Sequence, residues 1–483
     1  MITQDSTEFI EKLKEFDNKQ QYDEIISAIT DYLDKEIEKQ NIDELYIRRG
    51  FAWYNKKEYL KAIEDYNEVI NLNKDSYLAL AYYNRGFARI AQKKYEEAID
   101  DFNKAFTLNP KDYIRAYLFI AIIHRIKGRT KDAINNYNKV ILINPEYADA
   151  YYYRGLCYKE NNIKLIESKN DFEQYLVLRQ GNIDNWTKYA NYHIKELEER
   201  LTDIELDNIA NCIFAIKSEL KIQNENITHY SSLTVAKSLF IDKTKFRLSE
   251  GNFMNDPSEG TELLKFLDCK FSSTNSNNEF FRKPFIGSFV KDDNNLNMWR
   301  FYGKEDGSEA MGCSITIKMD EFIYDIQNSL TQKEENISDI NFYRVVYIDK
   351  NYSEVNIPNL LEIQTQKIFD LLNELKTTVC NYQGKNKISI EKYLNTITFL
   401  FKSDDYKNED EVRLVVQGVE FEKKYNKNVT PPKVYIELET IDKIVEQITL
   451  GPRVDKASEW ATAFHYCFEE KKPKIVLSHL QFK

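Results

Sequence analysis

Glycine and proline are scarce in this chain, with 14 and 9 in 483 residues. So few turn formers argue against a protein built mainly of short strands and tight turns, so long helices are expected over much of it. The six cysteines, at 157, 212, 269, 313, 380 and 467, include no CxxC pair. That argues against a disulfide framework or zinc site and for a reducing cytoplasm. No apolar run approaches a membrane span. The first residues, MITQDSTEFIEKLKEF, are too polar for a secretory signal. A P-loop, GxGxxG and HExxH are all missing, and the five histidines have no metal-ligand spacing. What is present is 33 tyrosines, 42% hydrophobic and 30% charged residues, and a net charge of −11. The whole is expected to be globular and not drawn to nucleic acid or anionic membrane. Its length exceeds one ordinary core, so two or three domains are expected.

The first half repeats itself. RRGFAWYNKKEYLKAIEDYNEVINLN aligns with NRGFARIAQKKYEEAIDDFNKAFTLNP, so that Gly50, Ala62 and Tyr66 recur 36 residues on as Gly86, Ala98 and Phe102. A third copy, FIAIIHRIKGRTKDAINNYNKVILINP, sets Ala133, Tyr137 and Pro145 at 35 residues from Ala98, Phe102 and Pro110. A fourth holds Gly155, Ser168 and Phe172. Small residues let paired helices approach, an aromatic packs between them, and proline ends the second helix. This pattern resembles the tetratricopeptide repeat family and covers roughly residues 8 to 180. The resemblance implies a right-handed array whose first helices line a concave face. Counted from the glycines, that face carries Ile47, Phe51, Tyr54, Tyr83, Phe87, Ile90, Tyr152, Leu156 and Lys159. Tyr54, Tyr83, Phe87 and Tyr152 are the expected partner contacts. The partner is an apolar or aromatic peptide or protein, or the C-terminal domain of this same chain. Some of these residues also fit a plain core. The Lys/Asn clamp that some family members use for a carboxylate is not evident. Two further helices within 181–225 are expected to cap and connect.

From residue 226 the character changes. Short β-like runs (NITHY, KFRLS, KPFIGSFV, EAMGCSITI, NFYRVVYI, EVRLVVQG, KVYIEL, EQITLG, KIVLSHL) alternate with helical patterns near 232–240, 258–267, 295–302, 358–379, 389–402 and 457–469. The segments 272–283 and 331–339 read as loops. The expected organisation is a tetratricopeptide α-solenoid over 1–180, connecting helices over 181–225, and an α+β domain over 226–483 with a mixed or mostly antiparallel sheet.

Within that domain ITHYSSLTVAKSLF, KFRLSEGNFMNDPSEG, PFIGSFVKDDNNLNMWRFYGKEDGSEAMGCSI, NEDEVRLVV and ITLGP come in order. Together they resemble a widespread bacterial domain of unknown function. The sequence departs from it only at Val290, where a small polar residue is usual. An early histidine, a middle serine or tyrosine and a late Glu-x-Glu also resemble ADP-ribosyltransferases, which split the glycosidic bond of NAD. That resemblance implies NAD as substrate. His229 would hold the ribose and Ser288 or Tyr302 would support the nicotinamide pocket, with Tyr230 also among the cofactor contacts; apart from the resemblance, the planar fork of Arg300 fits a pyrophosphate. Glu411, with Glu409 beside it, would steady an oxocarbenium-like transition state. Glu409 and Glu411, two apart at a strand start, are expected on one face.

Plainer readings stand beside these. His229 also fits a structural hydrogen bonder, Glu409 and Glu411 a solvated acidic turn, and Trp299 to Gly303 a packed helix end. Asn255, Asp256 and Glu259 read as a turn and helix cap. The leading expectation is a cytoplasmic effector, toxin or phage-defence protein, with a recognition array and an NAD-consuming ADP-ribosyltransferase or NAD glycohydrolase domain and no metal. The alternatives are a non-catalytic adaptor that binds a peptide or nucleotide, and a metal-dependent nuclease.

Overall fold

The computed structural model describes residues 9, 12–13, 15–16, 19–34, 41–181, 184–223, 225–251, 260–268, 284–305, 307–332, 336–419, 421–426, 433–468 and 472–481. Asn255, Asp256, Glu259 and the segment 272–283 lie outside them. The chain divides into two units, Met1–Asn182 and Ile183–Lys483.

The first unit is the helical repeat array. Its helices pair as Ile42–Asn55 with Tyr59–Leu72, Asp75–Ala91 with Tyr95–Leu108, Ile114–Ile126 with Thr130–Ile143, and Ala148–Glu160 with Leu165–Arg179, preceded by Tyr22–Leu33. The repeat glycines are explained by close approach. A Cβ on Gly50 would lie 2.7 Å from the Tyr66 ring, and one on Gly86 2.8 Å from Phe102. An ion-pair ladder accompanies them. Arg49 binds Asp65 at 2.6 Å, Arg85 binds Asp101 at 2.7 Å and Arg154 binds Asp171 at 2.6 Å. Each arginine also donates to the second helix of the preceding repeat, at Thr30, Asn67 and Asn138 respectively. The third repeat lacks both partners together, with buried Ile120 and Asn136 in their places. There Arg125 pairs instead with Glu160, at 2.7 Å.

The second unit begins earlier than the sequence suggests. The helices Asn185–Thr202 and Ile204–Leu220, expected as caps and connectors, belong to it. Leu206, Ile209, Ile213 and Ile216 share a core with Ile368, Leu372 and Leu375 of the helix Glu362–Asn381. The strands are β1 (Lys221–Ile222), β2 (Asn226–Ser231), β3 (Arg247–Glu250), β4 (Phe285–Val290), β5 (Cys313–Lys318), β6 (Asn336–Arg344), β7 (Val346–Ile348), β8 (Val355–Asn356), β9 (Phe401–Ser403), β10 (Glu411–Val419), β11 (Lys424–Asn426), β12 (Lys433–Glu437), β13 (Val445–Leu450) and β14 (Lys474–Leu477). The large sheet runs β1-β6-β10-β4-β2-β5-β13-β14, with β3, β12 and β11 branching from β4. A second sheet has the order β8-β7-β9. Most pairs are antiparallel, and β13–β14 and β7–β9 are parallel, so the sheet is mixed.

Two local expectations are corrected. Residues 331–339 are not one loop: a helix runs to Gln332 and β6 starts at Asn336. The helical pattern 389–402 stops at Asn395, and after a 3-10 turn the chain enters β9. β-Branched and aromatic residues in Ile-Thr-Phe-Leu-Phe favour that extended ending.

Candidate functional site

The site forms where the large sheet splits. One edge of β4 pairs with β3 at Ile286 and Phe285, and with β2 only at Val290. Between these points β2 and β3 splay, and an unpaired backbone carbonyl there needs another donor. His229 supplies it: Nδ1 lies 3.1 Å from the Ser288 carbonyl. A carbonyl only accepts, so Nδ1 carries the proton and Nε2 is left as an acceptor. The half-buried ring lies against Phe246 and Phe289 at 5.5 and 5.6 Å. Burial pushes its pKa below the usual histidine value, which keeps it neutral at pH 7.

A cavity of about 1140 Å³ opens at this split. His229, Ser288, Tyr302, Glu409 and Glu411 all line it, although they come from β2, β4, the end of the helix Leu296–Phe301, a 3-10 turn and β10. Lys402 of β9 lines it as well.

A chain of alternating charges runs from the sheet to the cavity. Arg413, fully buried, donates from Nε to Glu411 Oε1 at 2.9 Å and from Nη2 to Oε2 at 3.1 Å. Lys402, 4% exposed, lies 2.8 Å from Glu411 Oε2 and 2.8 Å from Glu409 Oε2. The Tyr302 hydroxyl donates to Glu409 Oε1 at 2.9 Å. Arg413 also donates to the Phe399 carbonyl, and the Glu411 N–H donates to the Tyr347 hydroxyl at 3.0 Å. Burial pushes the Glu411 carboxyl up, but Arg413 and Lys402 outweigh it and hold the group at about 2.

This geometry corrects several sequence expectations. Glu409 and Glu411 do not follow one another along a strand. Glu409 ends the 3-10 turn Asp404–Glu409, Asp410 is left-handed with φ 46°, and Glu411 opens β10. The two carboxylates meet because both turn to Lys402. Nor does Glu411 offer a free carboxylate, since a guanidinium fork and an ammonium already claim it. Tyr230 also lines the cavity, but its hydroxyl is engaged by backbone groups. Its hydroxyl accepts from the Asn295 N–H at 2.7 Å and donates to the Asp292 carbonyl at 3.2 Å, and its ring packs on Trp299. Arg300 is not among the residues that line the cavity. The helix end around it is a packed one: Trp299 is buried, and a Cβ on Gly303 would meet its ring at 2.5 Å. Lys402 was missed altogether. Its one signal is a lone lysine that directly ends the mostly apolar run 397–401.

In the repeat unit, Tyr152 is corrected to core. It is 2% exposed and packs between Phe172 and Tyr175. Ile47 and Leu156 are buried too. Tyr54, Tyr83 and Phe87 are half-buried, with Phe87 against Phe102 and Phe119. Phe51 is the open member of the set, 48% exposed. Among the described residues, no helix is long and apolar enough to cross a membrane, and no group of three or more His, Cys, Asp or Glu is arranged to hold a metal.

Comparison with known proteins agrees with the division into a repeat half and a second domain. Tetratricopeptide repeat models match residues 79–112 and 123–162. A model described as a protein of unknown function (DUF2971) matches residues 298–414. That segment holds Tyr302, Lys402, Glu409, Glu411 and Arg413, and lacks His229 and Ser288. No curated protein matches the chain. Among solved structures, one of MamA is 26% identical, covers 35% of this chain and 94% of its own, with a TM-score of 0.31. MamA from residue 41 to its end, from Desulfovibrio magneticus RS-1, is 16% identical over 37% of this chain and 97% of its own, with a TM-score of 0.32. YrrB, titled a TPR protein with an unusual peptide-binding site, is 14% identical over 39% and 90%, with a TM-score of 0.32. The chain thus carries tetratricopeptide repeats, which suggest a role in protein interaction, and a DUF2971 domain.

Proposed function

We propose that the second unit binds NAD and cleaves its nicotinamide bond, as an ADP-ribosyltransferase or NAD glycohydrolase does, and that the repeat array brings it to a protein or peptide partner. The observation that carries this reading is convergence. His229, Ser288, Tyr302, Glu409 and Glu411, singled out from their order in the chain, line one cavity. Its volume, about 1140 Å³, is slightly above the usual range of small-ligand sites and admits a dinucleotide. His229 Nε2 accepts a ribose hydroxyl. Glu409 is the carboxylate that meets the ligand, because Tyr302 holds one of its oxygens through an exchangeable hydroxyl bond. A fixed carboxylate beside a developing cation stabilises it strongly where water is excluded. Glu411, through Lys402, positions Glu409 rather than touching the ligand.

Calorimetric titration of the full chain with NAD tests this. Binding that weakens in His229→Ala supports it, and no binding rejects it. A second reading is favoured by one observation: Lys402 and Arg413 together balance the charge of the two carboxylates, which suits binding without turnover. NAD binding with no release of nicotinamide would select that non-catalytic adaptor.

A further inference from the structure

The cavity exposes aromatic surface. Among the described residues of the second unit, five Phe, Tyr or Trp side chains are exposed, and three of them, Phe301, Tyr302 and Tyr406, line this cavity. Phe301 follows Met298 by three residues on the helix Leu296–Phe301, so the two share one face of it. Met298 is 2% exposed and packs with Trp299 and Val290, whereas Phe301 is 58% exposed. Both line the cavity, so the apolar face that is covered at Met298 runs out over open space at Phe301. Among the described residues, the ring contact of Phe301 is with its neighbour Tyr302 alone, edge-on at 6.4 Å. Two sets of bonds hold other elements beside this helix end. Glu305 accepts from the Thr234 N–H at 3.2 Å and from the Thr234 hydroxyl, which draws in the helix that carries exposed Val235. Tyr302 donates to Glu409, which draws in the 3-10 turn that carries Tyr406. The Lys402 ammonium lies over the Tyr406 ring, 5.4 Å from its centroid, and holds that ring in place. Val235 and Tyr406 line the cavity together with Phe301.

We propose that Val235, Phe301 and Tyr406 form a shelf on which a planar heteroaromatic ring of the ligand stacks. An exposed aromatic side chain offers a flat apolar face, and every nucleobase-like ring has a π-face to set against it. Such a shelf holds a ring by its area and not by charge, so it selects a ring over a bare sugar phosphate. The occupant is part of a small ligand rather than a protein segment, because the shelf and His229 line one cavity and a sugar attached to the ring stays within it. This rests on the cavity being the ligand site of the function proposed above, but it assigns residues which that reading does not use and a different part of the ligand. NAD carries two rings of this class, nicotinamide and adenine, and the same chemistry serves either.

The test is calorimetric titration of the full chain, Phe301→Ala and Phe301→Trp with NAD, adenosine monophosphate, nicotinamide mononucleotide and ribose 5-phosphate. Phe301 is mostly exposed, so both variants should keep the melting temperature of the parent. Phe301→Ala is expected to weaken NAD about tenfold or more, the cost of losing one stacked base. Phe301→Trp keeps an aromatic face and should retain the parent affinity. Ribose 5-phosphate has no base, and its affinity should not change in either variant. The mononucleotide that loses affinity in Phe301→Ala names the ring on the shelf. NAD binding that Phe301→Ala leaves unchanged, or that Phe301→Trp fails to restore, overturns the shelf and leaves the NAD reading standing. An equal loss for ribose 5-phosphate overturns the shelf as well. Adenosine monophosphate binding that depends on Phe301, with no binding of NAD, keeps the shelf and rejects the NAD reading. No binding of any ring-bearing ligand overturns both.

Discussion

The Lys402 ammonium lies 2.8 Å from Glu409 and is almost wholly buried beside it. It lies equally close to Glu411, which Arg413 grips from the other side. Removing a buried cation that two carboxylates share leaves uncompensated charge. Lys402→Met should destabilise the second unit by about 3–5 kcal/mol in denaturant unfolding. Adding Glu411→Gln to that variant should recover part of the loss. A single variant as stable as the parent would show that the bridge contributes nothing.

The pH dependence of stability has two windows. Glu411 is held at about 2, well below the 4.5 of a free glutamate. A carboxyl lowered on folding stabilises above the free value, and that contribution disappears as pH falls from about 4.5 toward 2. The stability gap between the protein and Glu411→Gln should therefore narrow over that window. His229 is also lowered, from 6.5. The unfolded imidazole takes up a proton first, so the contribution of His229 is complete above 6.5 and is lost below it. His229→Gln should lack that second loss. Unfolding curves measured at a series of pH values check both, and a gap that widens as pH falls would contradict them.

The array separates core from surface. Phe87 contacts Phe102 and Phe119, so Phe87→Lys should destabilise the repeats by roughly 2 kcal/mol or more. Phe51→Ser should stay within about 0.5 kcal/mol of the parent. If the array binds an apolar segment, Phe51→Ser should weaken capture of that partner while the melting temperature holds. Equal melting losses in the two variants would mean that Phe51 is also core.

Gly86→Ala puts a methyl against the Phe102 ring, 2.8 Å away. Overpacking of this kind costs about 1–3 kcal/mol. Phe102→Leu should relieve it in the double variant, so the two losses should not add. Thermal unfolding of the two single variants and the double variant reads this directly.

The array was legible in the sequence because its constraint is local and periodic. The glycine and the aromatic sixteen residues later in the first two full repeats must touch, and both recur with the period. The Arg–Asp ladder lies at the same spacing in those two repeats and one residue wider in the fourth, and its paired loss at Ile120 and Asn136 was legible too. In the second unit the long strands were legible as runs of β-branched residues. The strands β1, β8 and β11, of two or three residues each, were not, because tertiary pairing rather than propensity makes them. His229 and the two glutamates stood out through their motif context. Their partners did not. The carbonyl that His229 caps is exposed by the splay of β2 from β3, and Lys402 reaches the glutamates from a different sheet. Sequence spacing carries no trace of either.

The central claim is that Glu409 faces the ligand and Glu411 holds it in place. Nicotinamide release from NAD by the full chain, compared with Glu409→Gln and Glu411→Gln, tests it most directly. The account predicts that Glu409→Gln keeps its stability and its NAD affinity and loses roughly a hundredfold in turnover, the usual cost of one such electrostatic contact. Turnover that survives Glu409→Gln in a folded, NAD-binding protein would contradict it.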